Sequence, residues 1–105
     1  MSRFYVVLTT TKDKAEGKRL AKKLVSEKLV ACVNVVPRVY STYWWHGKIE
    51  RAEEAWLLMK TSQPKMKRLI ARIRELHSYE VPEVLVLPIE RGSPEYLKWL
   101  EESLR

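Results

Sequence analysis

The chain is short of the residues on which much small-protein chemistry depends. It has one cysteine, Cys32, two histidines and three glycines in 105 residues. A single cysteine cannot close an intrachain disulfide, and without a second one there is no CxxC pair or cysteine-rich zinc framework. No Gly-rich phosphate loop and no HExxH occurs, and no nucleophile stands beside a flanking base, so the usual signatures of an enzyme are missing. No apolar run approaches the roughly 18 residues of a membrane-spanning helix. The chain enters a strand-like run directly after Met1, Ser2 and Arg3. With the unpaired cysteine, this gives the expectation of a reducing, cytoplasmic setting and no membrane partner.

What is present describes a globular domain. The residues are 46% apolar and 31% charged, with four Trp, five Tyr and one Phe, too many core-forming side chains for a disordered chain. The length fits one domain over residues 1–105 and leaves no room for two. The net charge of +7 favours phosphates or anionic surfaces as contacts. Much of that excess lies in Lys14, Lys18, Arg19, Lys22 and Lys23 and in Lys65, Lys67, Arg68, Arg72 and Arg74, all on expected helices. RNA readers of ferredoxin-like topology carry a Lys/Arg-Gly-aromatic pattern on a central strand, and the third strand here has none. Solvated helix faces account for the charges, and nucleic acid is not expected as a partner. The abundance of Lys, Glu and Arg also suits a heat-tolerant protein.

Hydrophobic periodicity sets the elements. Phe4 to Leu8 reads as a buried strand bounded by Thr9, Thr10 and Thr11. Asp13 followed by Glu16 matches a capping box, and a helix is expected from about Lys14 to Lys28. Cys32 to Trp45 and Lys48 to Thr61 form a long hairpin turning at His46 and Gly47. Ser62 and Pro64 open a second helix with Met66, Leu69, Ile70, Ile73 and Leu76 on one face, ending near His77. Val84 to Leu87 is a fourth strand, and Gly92, Ser93 and Pro94 introduce a last helix carrying Tyr96, Leu97, Leu100 and Leu104.

This order is the α+β, ferredoxin-like split βαβ plan, with an antiparallel sheet and an added C-terminal helix. Its central strands are the first and third, and the prolines agree, since Pro37 and Pro88 fall in the second and fourth. Alternation puts Phe4, Val6 and Leu8 on one face of the first strand and Tyr5 and Val7 on the other; Trp56 and Leu58 oppose Ala55, Leu57 and Met59 in the third. Both faces are apolar, whereas the two crossover helices cover one. The C-terminal helix covers part of the second face, and copies of the chain are expected over the rest.

Several motifs then converge. Ala31-Cys32-Val33-Asn34 with Pro37, alternate Ser41, Tyr43, Trp45, Gly47 and Ile49, Lys60-Thr61, His77-Ser78-Tyr79-Glu80-Val81-Pro82-Glu83, and Tyr96 with Trp99 resemble the divalent-cation tolerance protein family, CutA, over essentially the whole chain. The resemblance implies a ferredoxin-like subunit, a homotrimer joined through sheet edges, and a cytoplasmic role in tolerance of copper and other divalent metals. The chain departs from the family pattern at Ser78, where a proline is usual. It also has Thr9 and Leu76 where a copper-binding bacterial member has a cysteine and the first of two histidines, so only His77 matches that set.

His77, Glu80 and Glu83 are the candidate metal ligands, because imidazole suits copper, zinc and nickel and carboxylates add charge. The other reading of the same residues is a helix-terminal histidine at the negative end of the dipole with solvated acids. Cys32 reads as a core thiol rather than a ligand, and His46 as a turn residue. Tyr40, Tyr43, Trp44 and Trp45 crowd the distal hairpin, where one subunit has no core for them, and are expected at subunit interfaces, with ligand stacking as the second reading. Glu54, Lys60, Thr61 and Tyr79, with Glu80, are candidates for a polar cleft between subunits. Two functions follow from different classes: a metal-tolerance trimer binding copper or another divalent ion weakly, and a PII-like trimeric ligand sensor or scaffold with no physiological metal site. A third reading is a structural trimer whose effect on metals is indirect.

Overall fold

The computed structural model describes residues 3–105. Met1 and Ser2, and with them the expected direct start of the chain, lie outside the described residues. Strand β1 (Phe4–Thr11) leads into helix α1 (Lys14–Ser26), the strands β2 (Cys32–Trp45) and β3 (Lys48–Ser62), a 3-10 turn (Gln63–Lys65), α2 (Met66–Leu76), β4 (Leu85–Pro88) and α3 (Pro94–Ser103). The sheet is antiparallel throughout in the order β2-β3-β1-β4, the α+β ferredoxin-like arrangement with an added helix. Pro37 lies in the irregular stretch between Val36 and Val39, where a missing amide donor breaks no ladder.

Local chemistry shifts some boundaries. The threonines expected to bound β1 belong to it, since β-branched side chains suit a pleated surface, and Thr9 and Thr11 are buried. Asp13 Oδ1 accepts from the Glu16 amide at 2.8 Å, which starts α1. The helix stops two residues before the expected end because Lys28 turns left-handed at φ 58°, and the Leu29 amide then bonds the Leu24 carbonyl at 3.1 Å. Ser62 makes no side-chain cap; Pro64 instead opens a 3-10 turn that runs into α2. β4 starts one residue late, at Leu85. The hairpin turn is as expected, with His46 at φ 49° and Gly47 at φ 77°.

The helix side of the sheet holds the main core, Val7, Leu24, Leu29, Val30, Met59, Leu69 and Ile73, extended by Leu20, Ala55 and Leu57. Close approach of α1 depends on Gly17, where a Cβ would lie 3.0 Å from Leu57 Cδ1 and 3.2 Å from Thr11 Oγ1. On the opposite face α3 packs Leu100 and Leu104 over Phe4. Cys32 is half-buried at this end, its Sγ 3.7 Å from the Tyr96 hydroxyl, so it edges the face that α3 covers instead of lying in the main core. Beyond α3 that face continues through Val6, Leu8, Trp56 and Leu58, half-buried, to Leu85 and Leu87, exposed.

Candidate functional site

β1 ends opposite Ala55, and the part of β3 before Ala55 pairs only with β2, so the hairpin leaves the sheet as a two-stranded ribbon. In the crook where it departs, the segment after α2 crosses the end of β1. The result is a cleft of about 910 Å³ lined by Thr10, by Ser41 to Trp45 of β2, by Glu54 of β3, and by Ser78 to Val81 with Glu83.

Glu54 stands at the base of this cleft. By alternation it shares the face of Trp56 and Leu58, continuous with the uncovered apolar surface. Its residue is 8% exposed, and Oε2 accepts from the Tyr79 hydroxyl at 2.7 Å. Burial, reinforced by the Glu54 carboxylate, pushes the Tyr79 phenol well above its ordinary value, so Tyr79 stays a neutral donor.

His77 is turned inward and is 8% exposed. Its Nε2 lies 2.7 Å from the Thr10 carbonyl, which only accepts, so Nε2 carries the proton. The Tyr79 amide donates to Nδ1 at 3.0 Å. Both ring nitrogens are therefore occupied, and the rings of His77 and Tyr79 lie 4.9 Å apart. Glu80 and Glu83 are exposed on the cleft wall. Among the described residues no group of three or more His, Cys, Asp and Glu is placed to hold a metal ion. The expected trio of His77, Glu80 and Glu83 is thus close in sequence but not convergent in space, because the histidine serves as a pin between β1 and the loop while the two acids face outward. This donor set does not fit a resident copper ion.

Sequence reasoning overlooked Glu16. Its side chain, 2% exposed, accepts from the Lys12 amide at 3.1 Å and from the Ser78 amide at 2.8 Å, binding the loop to the start of α1. Burial pushes its carboxyl up, but the Ser78 and Lys12 hydrogen bonds and nearby His77 outweigh that and hold it below its ordinary value. The capping pattern marked Glu16 as a helix-start residue, and nothing in the sequence announced its partner.

Of Glu54, Lys60, Thr61, Tyr79 and Glu80, expected to line a polar cleft between subunits, one chain by itself joins Glu54 and Tyr79. Glu54 and Tyr79 meet; Lys60 and Thr61 lie six and seven residues along β3, about 20 Å away at the strand rise. Lys60 donates to Asn34 Oδ1 in the middle of the sheet, and Thr61 is buried on the opposite face, donating to the Leu29 carbonyl at 2.7 Å. Tyr40 and Trp44 are 75% and 72% exposed, and Tyr43 and Trp45 are also exposed. Tyr43, Trp44 and Trp45 all border the cleft, whereas Tyr40 lies outside it. By alternation Tyr43 and Trp45 share the face of Glu54, and Trp44, like Tyr40, points to the other face of the ribbon.

Residues 5–103 match the model of a family described as CutA1 divalent ion tolerance protein. The chain belongs to this family. It is 46% identical over 100 residues to the chloroplastic protein CutA 1 of Oryza sativa subsp. japonica, covering 95% of this chain and 56% of that one. It is 41% identical to the divalent-cation tolerance protein CutA of Escherichia coli (strain K12 / DH10B), covering 95% and 89%. The crystal structure of CutA1 from Oryza sativa superposes with a TM-score of 0.95 at 44% identity, covering 99% of this chain and 95% of that one. The chain spans about half the length of the plant relatives it matches. The family and its bacterial members are described by divalent-cation tolerance. No helix among the described residues is long and apolar enough to cross a membrane.

Proposed function

We propose that this CutA chain acts in divalent-cation tolerance as a homotrimer, with the Glu54–Tyr79 cleft at the junction between subunits as its working site. One observation carries the reading: the uncovered apolar face of the sheet, with Trp56 and Leu58, is also the face on which Glu54 lines the cleft, and the hairpin beyond it leaves its aromatics exposed. An exposed patch of this kind marks an association surface, and a neighbour laid on it covers Val6, Leu8, Trp56, Leu58, Leu85 and Leu87 and closes the outer wall of the cleft. Trimerisation through the hairpin edge suits the length of β2 and β3, which extend beyond the rest of the sheet.

Direct contact with copper or another divalent ion is assigned to weak carboxylate binding by Glu80 and Glu83, with His77 kept as a structural residue. The cleft favours the ligand-sensor form of this function, in which a small molecule and not a tightly held metal is read out. The proposed setting is the cytoplasm, supported by the single unpaired thiol, Cys32. Growth of a copper-sensitive host expressing the wild type or Leu87→Glu tests the reading. Wild type is expected to restore growth in copper and Leu87→Glu to fail; equal restoration by both contradicts a role that depends on assembly.

A further inference from the structure

The lining of the cleft has an unusual charge balance for this chain. Of 20 Lys and Arg in the sequence none lines it, whereas Glu54, Glu80 and Glu83 do. Glu54 is the informative member. It is more than nine-tenths buried, and no Lys, Arg or His pairs with it among the described residues. One oxygen accepts the hydrogen bond from the Tyr79 hydroxyl; the other accepts from no donor among the described residues. Among the described residues no fully buried side-chain oxygen lacks a partner, so this second oxygen keeps access to solvent, and Glu54 lines the cleft. A carboxylate removed from water without a cation beside it is costly, and a ligand that brings positive charge relieves that cost.

The shape of the site selects the kind of cation. A small ion needs several ligands at a single point, and the three glutamates do not converge on one. Charges that line one cleft without converging instead match a molecule whose own charges are spaced by apolar segments. Tyr43 and Trp45, on the face of Glu54, supply the remaining requirements, since aromatic faces attract ammonium groups and give methylene chains an apolar wall. Ser41, on the same face, adds a neutral acceptor for N–H donors.

We propose that the cleft binds an elongated aliphatic polyammonium compound, one terminal ammonium on Glu54, the methylene chain against Tyr43 and Trp45, and the remaining charge beside Glu80 and Glu83. This names the ligand class of the cleft and rests on the reading of that cleft as the working site.

The test is calorimetric titration of the full chain with spermidine, with magnesium chloride as a control for charge alone and sedimentation of the same samples in parallel. The expected result is saturable spermidine binding at one site per chain, not reproduced by magnesium, with affinity lowered about tenfold or more in Glu54→Gln, the loss of a charge-assisted contact. The surface variant Glu80→Gln/Glu83→Gln, which leaves the buried network intact, is expected to weaken binding less; it keeps the test decisive if Glu54→Gln does not fold. Absence of saturable binding, equal displacement by magnesium, or affinity unchanged in both variants overturns the proposal. Sedimentation separates the two readings: a trimer without spermidine binding removes the ligand class alone, and a monomer that binds spermidine removes the trimer alone.

Discussion

The Tyr79 hydroxyl donates to Glu54 Oε2 at 2.7 Å, joining the loop after α2 to a strand position beyond the end of β1. Those residues are 25 positions apart in sequence, and the bond fixes the floor of the cleft. With the neighbouring pair His77 and Thr10, it makes the loop from Ser78 to Glu83 a built wall of the site.

Removing the phenol tests that bond. Tyr79→Phe leaves a largely buried carboxylate without its donor and is expected to cost about 1–3 kcal/mol. Guanidinium denaturation at fixed protein concentration measures it. A midpoint equal to wild type contradicts the assigned bond.

His77 is expected to matter for stability and not for metal. His77→Ala removes one bond to the Thr10 carbonyl and one from the Tyr79 amide and is expected to destabilise by about 1–3 kcal/mol. Copper titration of this variant is expected to give the same stoichiometry and heat as wild type. Loss of a binding event specific to the variant returns His77 to the ligand set.

Acid weakens the fold through Glu16. Its folded carboxyl sits below its ordinary value of 4.5, so the folded state binds fewer protons than the unfolded one in that range. The stability it contributes is present above pH 4.5 and is lost as pH falls through the lowered folded value. Denaturation midpoints measured from pH 6 downward are expected to fall less steeply in Glu16→Gln than in wild type, over about the ordinary carboxylate range. Parallel slopes contradict this.

Gly17 sets the distance between α1 and the sheet. Gly17→Val forces branched carbon into Leu57, Thr11 and Val35 and is expected to cost about 1–3 kcal/mol by overpacking. Gly17→Ala adds one carbon at contacts of 3.0 to 3.3 Å and is expected to cost less. Thermal melts of the two variants check the order.

Much of the fold was legible because local rules and the fold pointed the same way. The alternation of Val7 against Val6 and Leu8 assigned the two faces, Pro37 marked an edge strand, and His46 with Gly47 marked the turn. The helix-end geometry was not legible at Lys28, whose left-handed backbone has no glycine to announce it. The site was legible in part. Tyr79 and Glu54, both candidates for a cleft between subunits, meet within one chain, whereas the strand carries Lys60 of the same chain about 20 Å away. His77 was marked by ligand chemistry, and its actual role depends on a carbonyl 67 residues earlier. The Glu16 bond to Ser78 spans 62 residues and involves a backbone amide, which leaves no trace in side-chain pattern.

The central claim is that the apolar face bearing Leu58 and Leu87 is covered by further copies of the chain. Sedimentation velocity of wild-type protein across a dilution series at neutral pH tests it most directly. The expected result is one species of three chains that persists on dilution, with Leu87→Glu shifted to a folded single chain. A wild-type protein that sediments as a folded monomer at all concentrations contradicts the claim.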